Sequence, residues 1–177
     1  RAHDVVTQMG NQGHSFASHR TFTSWVRNGL LGEIREVHTW TTMRLLDSQA
    51  RIADLAKRDN VPEGLDWDRW IGPAEYHPYS PHFMPNLWRA WTPFGTGSPG
   101  DWGCHLLDPI FDAMGLQGPQ RITAEIKPGW DPVRDRLAFP SSSRIRFEFD
   151  LPSGRTLTVL GHDGAFCDEV PRPAALE

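Results

Sequence analysis

The chain has 177 residues, 38% of them hydrophobic and 23% charged, which suits one soluble globular domain with a buried core. Eighteen Lys and Arg stand against twenty-two Asp and Glu, giving a formal net charge of -4. Neither sign gathers into runs, which excludes the basic surface of a nucleic-acid-binding protein. No run of about eighteen apolar residues occurs, so no membrane-spanning helix is predicted. Cys104 and Cys167 lack a Cys-x-x-Cys spacing and are predicted to be free thiols.

The first predicted element is a short β-branched run at residues 4–9, followed by Gly10, which indicates a buried strand that ends in a turn. Because this strand begins almost at Arg1, we expect the chain to be a fragment cut just before it. The polar loop that follows places three candidate ligand-binding side chains where the strand stops: Asn11, Gln12 and His14.

A helix and a strand are predicted next. Apolar residues recur at helical spacing over residues 16–28, and Asn28-Gly29 supplies a stop signal. Residues 34–42 alternate as a strand with two mixed faces. Residues 44–95 are dense in Pro and aromatics, with a short helix predicted at 66–71. The tryptophans there favour a packed, ordered segment, and we interpret Trp67 and Trp70 as its anchors.

The second half of the chain predicts one helix over residues 100–114, ended by Gly115, and three strands at 121–127, 143–150 and 155–160. The last two strands are joined as a hairpin. This order of elements predicts an α+β fold, a mostly antiparallel open sheet with helices on one face. Residues 170–176 read as the entry to a further segment.

The stretch at residues 95–108, GTGSPGDWGCHLLD, supports three interpretations. Its first six residues match G-x-G-x-x-G, but a dinucleotide-binding loop follows an apolar strand directly. Pro93 interrupts any such strand, and Pro99 stiffens the loop itself. We therefore interpret the glycines as close-packing turns beside a substrate pocket.

A metal site and an acid/base pair are the other two interpretations, and both use polar residues at helical separations: Asp101, His105, Asp108 and Asp112. Only neighbouring side chains converge on a helix, so no metal site is predicted, and Asp108 and Asp112 are interpreted as solvated or capping carboxylates. The i, i+4 spacing of Asp101 and His105 instead puts a carboxylate beside an imidazole, which suits proton exchange with a hydroxyl or carbonyl.

Residues 95–108 resemble the signature G-G-G-x-x-x-D-x-G-x-H-x-x-D of the Gfo/Idh/MocA oxidoreductases, with Thr96 in place of a glycine. Residues 5–15, VVTQMGNQGHS, resemble the last strand of that family's NAD(P)-binding domain and the turn after it, in a bacterial subgroup. Residues 32–40 resemble the first strand of the second domain. The resemblance implies that residues 1–14 end a truncated Rossmann domain, and that residues 15–177 form a substrate and oligomerisation domain, incomplete at its C-terminus.

The resemblance implies an oxidoreductase that transfers hydride between a sugar or polyol and NAD or NADP, with the cofactor bound mainly by a preceding domain. By motif position, His105 is implied as the proton-transfer residue and Asp101 as its partner at the substrate. Contacts to the substrate are expected from Trp88, Arg89, Gly97 and His14. Contacts to the cofactor are expected from Asn11 and Gln12. The family's Glu-Lys-Pro motif is missing from this sequence, so we expect the chain alone to be inactive.

Two alternatives stay open. The first is a non-catalytic binding or assembly module, in which an open sheet face with His38, Trp40, Arg144 and Arg146 packs against another subunit. A homo-oligomer through that face is expected in either case, because the face is a typical oligomer contact in the family. The second alternative is a family member that uses bound NAD transiently for sugar elimination or hydrolysis, with no net redox change.

Overall fold

A four-stranded mixed sheet in the order β1-β4-β3-β2 lies at the centre of the fold. The computed structural model describes residues 3–41 and 48–172. Strand β3 pairs antiparallel with β2 and β4, and β1 pairs parallel with β4, which confirms the predicted α+β class with a mostly antiparallel sheet. The helices and strands are α1 (Ala17–Arg27), β1 (Glu36–Thr41), α2 (Trp67–Ile71), α3 (Gly97–Leu106), α4 (Asp108–Met114), β2 (Arg121–Ile126), β3 (Ser143–Asp150) and β4 (Thr156–Asp163).

The hairpin between β3 and β4 forms where the sequence predicts it. The Leu151 amide donates to the Arg155 carbonyl at 2.8 Å, and Gly154 adopts a φ of 78° in the turn, a conformation that favours glycine. Strand β4 runs to Asp163, three residues past its predicted end at 160, because β1 and β3 both continue alongside it.

Helices α3 and α4 follow each other where the sequence predicts a single helix over residues 100–114. That prediction is wrong at Leu107, because Pro109 lacks an amide hydrogen and its ring excludes the bond to the carbonyl four residues earlier. Gly115 ends α4 in the left-handed conformation, as expected. One face of the sheet packs on α4 through a buried apolar cluster of Ile110, Phe149, Leu157 and Val159.

A second apolar cluster lies in the long segment before α3. Trp67 and Trp91 are both buried in it, and the Trp70 ring stacks on Trp67 with centroids 4.7 Å apart. Asp66 caps α2 by accepting a hydrogen bond from the Arg69 amide at 3.1 Å. The expected short helix and the anchoring role of Trp67 and Trp70 are therefore confirmed.

The predicted strand at residues 4–9 does not form. Val5, Val6 and Met9 are exposed to 65, 101 and 87%, and none of the described strands pairs with this segment. A strand needs a hydrogen-bonded neighbour, and without one the backbone is better solvated as an extended coil. Arg1, Thr42 and the end of the predicted C-terminal segment at 173–176 lie outside the described residues. No described helix combines the length and apolarity that a membrane crossing needs.

Candidate functional site

A cleft of about 680 Å³ lies between the loop before α1, helix α1 itself, helix α3 and the edge strand β1. The loop is tethered to α3, because the Asn11 side-chain amide donates to the Cys104 carbonyl at 3.3 Å. Gly13 then sits directly against His105, so that a Cβ added to Gly13 would lie 3.9 Å from His105 Nδ1. The polar and aromatic side chains that line the cleft include Gln12, Phe22, His38, Trp102 and His105.

His105 is the one expected catalytic residue that the structure places in this cleft. Its ring meets Trp102 edge-on, with centroids 5.6 Å apart, and it is half-buried on α3. Among the described residues, no hydrogen bond or ion pair engages the His105 ring nitrogens. An imidazole in this setting is available to exchange a proton with a bound hydroxyl.

Asp101 does not pair with His105, contrary to the expectation from their spacing. Its carboxylate accepts a hydrogen bond from Arg89 Nη1 at 3.3 Å, and it is not among the cleft-lining residues that the structure describes. The short 3-10 helix Leu87–Ala90 carries the Arg89 guanidinium to this position. The guanidinium is a permanent cation with five donors in a planar fork, which matches the geometry of a carboxylate. The two predicted residues Asp101 and Arg89 are thus brought together, but away from His105.

Trp88 and Gly97, both expected at the substrate, lie elsewhere. Trp88 lines a separate hollow of about 530 Å³ with Trp70 and Phe94. Gly97 is buried with a φ of 67°, and a Cβ there would lie 2.8 Å from Cγ of Phe139. The glycines are close-packed, as interpreted from the sequence, but Gly97 does not line the cleft, so its place beside a substrate pocket stays a prediction.

Asp108 and Asp112 are only partly solvated, with side chains 25 and 35% exposed, and no described side chain caps α4, so the interpretation as solvated or capping carboxylates is incomplete. Packing of α1 on α4 brings both against histidines from the first part of the chain. His14 Nδ1 lies 2.9 Å from Asp108 Oδ2, and His19 Nε2 lies 3.0 Å from Asp112 Oδ2. His14, expected at the substrate, therefore joins a His/Asp cluster at one end of the cleft.

The Asp112 carboxylate contacts three side chains of α1. Hydrogen bonds from His19 and the Thr23 hydroxyl keep the pKa of the Asp112 carboxyl below its ordinary value, against the opposing effect of desolvation. Arg27 donates to its second oxygen at 3.0 Å. Sequence reasoning missed His19 and Thr23, although the spacing of four that separates residues 19, 23 and 27 marks one polar stripe along α1.

A second histidine pair lies at the edge of the sheet beside the cleft. His38 Nδ1 lies 3.0 Å from His162 Nε2, and His38 Nε2 lies 2.6 Å from Glu36 Oε1. Burial, and then the charges of His38 and Arg144, lower the pKa of His162. We therefore expect His162 to stay neutral at neutral pH, so that it does not add a positive charge to this side of the cleft.

A known protein family matches most of this chain. The model of a family described as the Gfo/Idh/MocA oxidoreductase family, C-terminal alpha/beta domain, matches residues 25–158. The match covers about three quarters of the chain and includes β1 to β3 and the helix that carries His105. Among curated proteins, none matches the chain. The chain belongs to the Gfo/Idh/MocA oxidoreductase family, as its C-terminal alpha/beta domain.

Proposed function

We propose that the chain is the substrate-side domain of an NAD(P)-dependent oxidoreductase that acts on a CH-OH group of a sugar or polyol. The observation that carries the proposal is His105, an imidazole in a cleft of about 680 Å³ whose ring nitrogens are engaged by none of the described residues. That volume lies within the roughly 300–1,000 Å³ of small-molecule sites. Because the family is an oxidoreductase family, the proton that His105 handles is that of the hydroxyl undergoing oxidation.

The lining of the cleft suits a polyhydroxylated ring. Phe22 and Trp102 offer apolar faces against C–H groups, while Gln12 offers a hydrogen-bonding amide to hydroxyls. His105 accepts the hydroxyl proton as the carbonyl forms. When bound, the nicotinamide supplies the chemistry that this chain lacks, by accepting the hydride from the same carbon.

We infer that, of the two predicted cofactor contacts, only Gln12 is placed to reach a nicotinamide in the cleft. Gln12 faces the cleft, whereas the Asn11 amide is used on the Cys104 carbonyl. The only Gly-rich stretch in the described part of the chain is close-packed at Gly97 against Phe139. We infer that the phosphates are held by the family's N-terminal domain.

A hydride-transfer assay tests the proposal. The protein that carries this domain together with its nucleotide-binding domain is incubated with NAD⁺ or NADP⁺ and a panel of hexoses and polyols deuterated at single carbons. We expect deuterium from one carbon in the reduced nicotinamide, one equivalent per product, followed by mass spectrometry. The unlabelled substrate is the control. Product formation without net reduced nicotinamide contradicts a dehydrogenase and supports transient-cofactor elimination or hydrolysis.

We further propose that two copies of the chain associate through the outer face of the sheet, the face that carries His38, Trp40, Arg144 and Arg146. Trp40 on this face is 38% exposed, with the Arg172 guanidinium 5.7 Å from its ring centroid. Arg146 is exposed on the same face, two strands away on β3, whereas Arg144 is engaged by Glu125 and Glu169 within the chain. Burial of the aromatic ring against a second copy would remove apolar surface from water.

Light scattering of the purified chain is expected to give a dimer or larger species, and Trp40→Glu a monomer, because a charge would be buried at the contact. Trp25→Glu is the matched control, since Trp25 is 48% exposed on α1, away from the sheet face, and its mass should match that of the wild type. A monomeric wild type, or equal dissociation by both variants, would count against the sheet face.

A further inference from the structure

We propose that His14, His19 and Asp108 form a binding site for a divalent transition-metal ion such as Zn²⁺ at the end of the His105 cleft. One ligand atom from each residue lies within 4.8 Å of the others. The three come from the loop before α1, from α1 and from the start of α4. They converge only through the packing of α1 on α4, which is why no metal site is predicted from the sequence.

The spacing of the donor atoms suits one small cation. His14 Nδ1 and His19 Nδ1 lie 2.9 and 3.5 Å from Asp108 Oδ2. Around an ion with bonds of about 2.1 Å, neighbouring ligand atoms lie roughly 3.0 Å apart in an octahedron and 3.4 Å apart in a tetrahedron. Two imidazoles and a carboxylate are a ligand set suited to Zn²⁺, Co²⁺ or Fe²⁺ rather than to Mg²⁺ or Ca²⁺.

His19 gives independent support, because its Nδ1 is buried without a hydrogen-bond partner on a side chain that is only 4% exposed. The other nitrogen, Nε2, lies 3.0 Å from Asp112 Oδ2. Asp112 engages Nε2, which leaves Nδ1 facing the Asp108 carboxylate at 3.5 Å without a hydrogen bond. A metal ion bound between Nδ1 and the Asp108 carboxylate would give this buried nitrogen the partner that it lacks among the described residues.

Asp112 completes an arrangement common around protein metal ions, in which a ligating histidine donates its other N–H to a carboxylate. Thr23 and Arg27 fix Asp112 in turn, with donors 3.0 Å from its two oxygens. The orientation of the His19 ring is therefore set before any ion arrives. Such preorganisation lowers the cost of binding.

The site is open on one side. The His14 side chain is 58% exposed, so an ion has a path from solvent. Three protein ligands leave coordination positions for water or for a hydroxyl oxygen of a molecule in the cleft, whose wall includes His19. The ligand class we assign is therefore a 3d divalent cation with an oxygen ligand supplied from the cleft side.

Metal titration of the chelator-treated chain tests the proposal, by calorimetry with Zn²⁺ and by visible absorption with Co²⁺. We expect one ion per chain and Co²⁺ d–d bands indicating nitrogen and oxygen ligands. Asp112→Asn should weaken Zn²⁺ binding by about 10- to 100-fold, the usual effect of losing the outer partner of a ligating histidine. His14→Ala and Asp108→Asn should weaken it further, because each removes a ligand.

Two variants serve as controls. His82→Ala removes a histidine whose Nε2 lies 3.5 Å from Asp54 Oδ2, a His–Asp pair outside the cluster, and should leave the Zn²⁺ affinity unchanged. His105→Ala should also leave the Zn²⁺ affinity unchanged. The metal site can therefore be refuted while the proposed dehydrogenase function stands, and the function can be refuted while the metal site stands. Circular dichroism checks that each variant is folded, and His14 is exposed enough for its replacement to be tolerated. Absence of stoichiometric binding, or binding that survives both His14→Ala and Asp108→Asn, would overturn the proposal.

Discussion

His105→Ala is expected to lower kcat/KM for the sugar or polyol by about 10²- to 10⁴-fold, the usual contribution of a positioned acid/base group. The imidazole lies in the cleft with its ring nitrogens unengaged by the described residues, so its loss leaves the departing hydroxyl proton without an acceptor. Initial rates of nicotinamide reduction, measured at saturating cofactor over a range of pH, give the comparison.

Cys104→Ala is the matched control for this substitution. Cys104 is the preceding residue on the same helix, it is exposed, and its Sγ contacts the Asp101 carbonyl at 3.6 Å. Its kcat/KM should equal that of the wild type. Adding Asp101→Asn to His105→Ala then tests their expected partnership: residues that act as one unit give no further loss, whereas the observed Arg89 pairing predicts additive losses. A His105→Ala enzyme with wild-type kcat/KM would refute the proton-transfer role.

The parts of the fold that could be predicted from sequence depend on local chemistry. The β3–β4 hairpin follows from a short turn with Gly154 at positive φ, and α2 from its Asp66 cap. Residues 4–9 have the composition of a strand, but a strand is a pairing, and no described strand lies beside them. The break in the helix at Leu107 could also have been predicted, because Pro109 cannot continue a helix.

The site residues differ in the same way: those that depend on local sequence could be predicted, and those that depend on distant contacts could not. The motif led to His105, and the loop before α1 led to Gln12, because both depend on positions close in sequence to recognisable patterns. The cluster around Asp112 depends on contacts across about 90 residues, with His19 93 positions away. Asp101 shows the limit of spacing arguments: one helical turn permits a contact with His105, but an arginine from another segment takes the carboxylate.

Gly95→Ala is expected to lower the free energy of unfolding by about 3 kcal/mol, at the upper end of the usual cost of overpacking. A Cβ at this position would lie 2.3 Å from the Arg89 carbonyl oxygen and 2.5 Å from its Cα. These are backbone atoms, so relief requires movement of the whole 3-10 helix Leu87–Ala90, which also carries Arg89 to Asp101. Urea denaturation followed by tryptophan fluorescence measures the change, because Trp91 is buried in the adjacent cluster.

Gly103→Ala supplies the contrast, since it is the same substitution on helix α3, where the added Cβ would meet only Leu107 Cδ1 at 4.0 Å. Alanine favours a helix over glycine by up to about 1 kcal/mol, so this variant should be as stable as the wild type or more so. If Gly95→Ala were as stable as the wild type, Gly95 would not be close-packed against Arg89, and its interpretation as a packing turn would be wrong. A loss of stability in Gly95→Ala without a loss in Gly103→Ala would show that Gly95 is required by close packing and not by the helix that follows it.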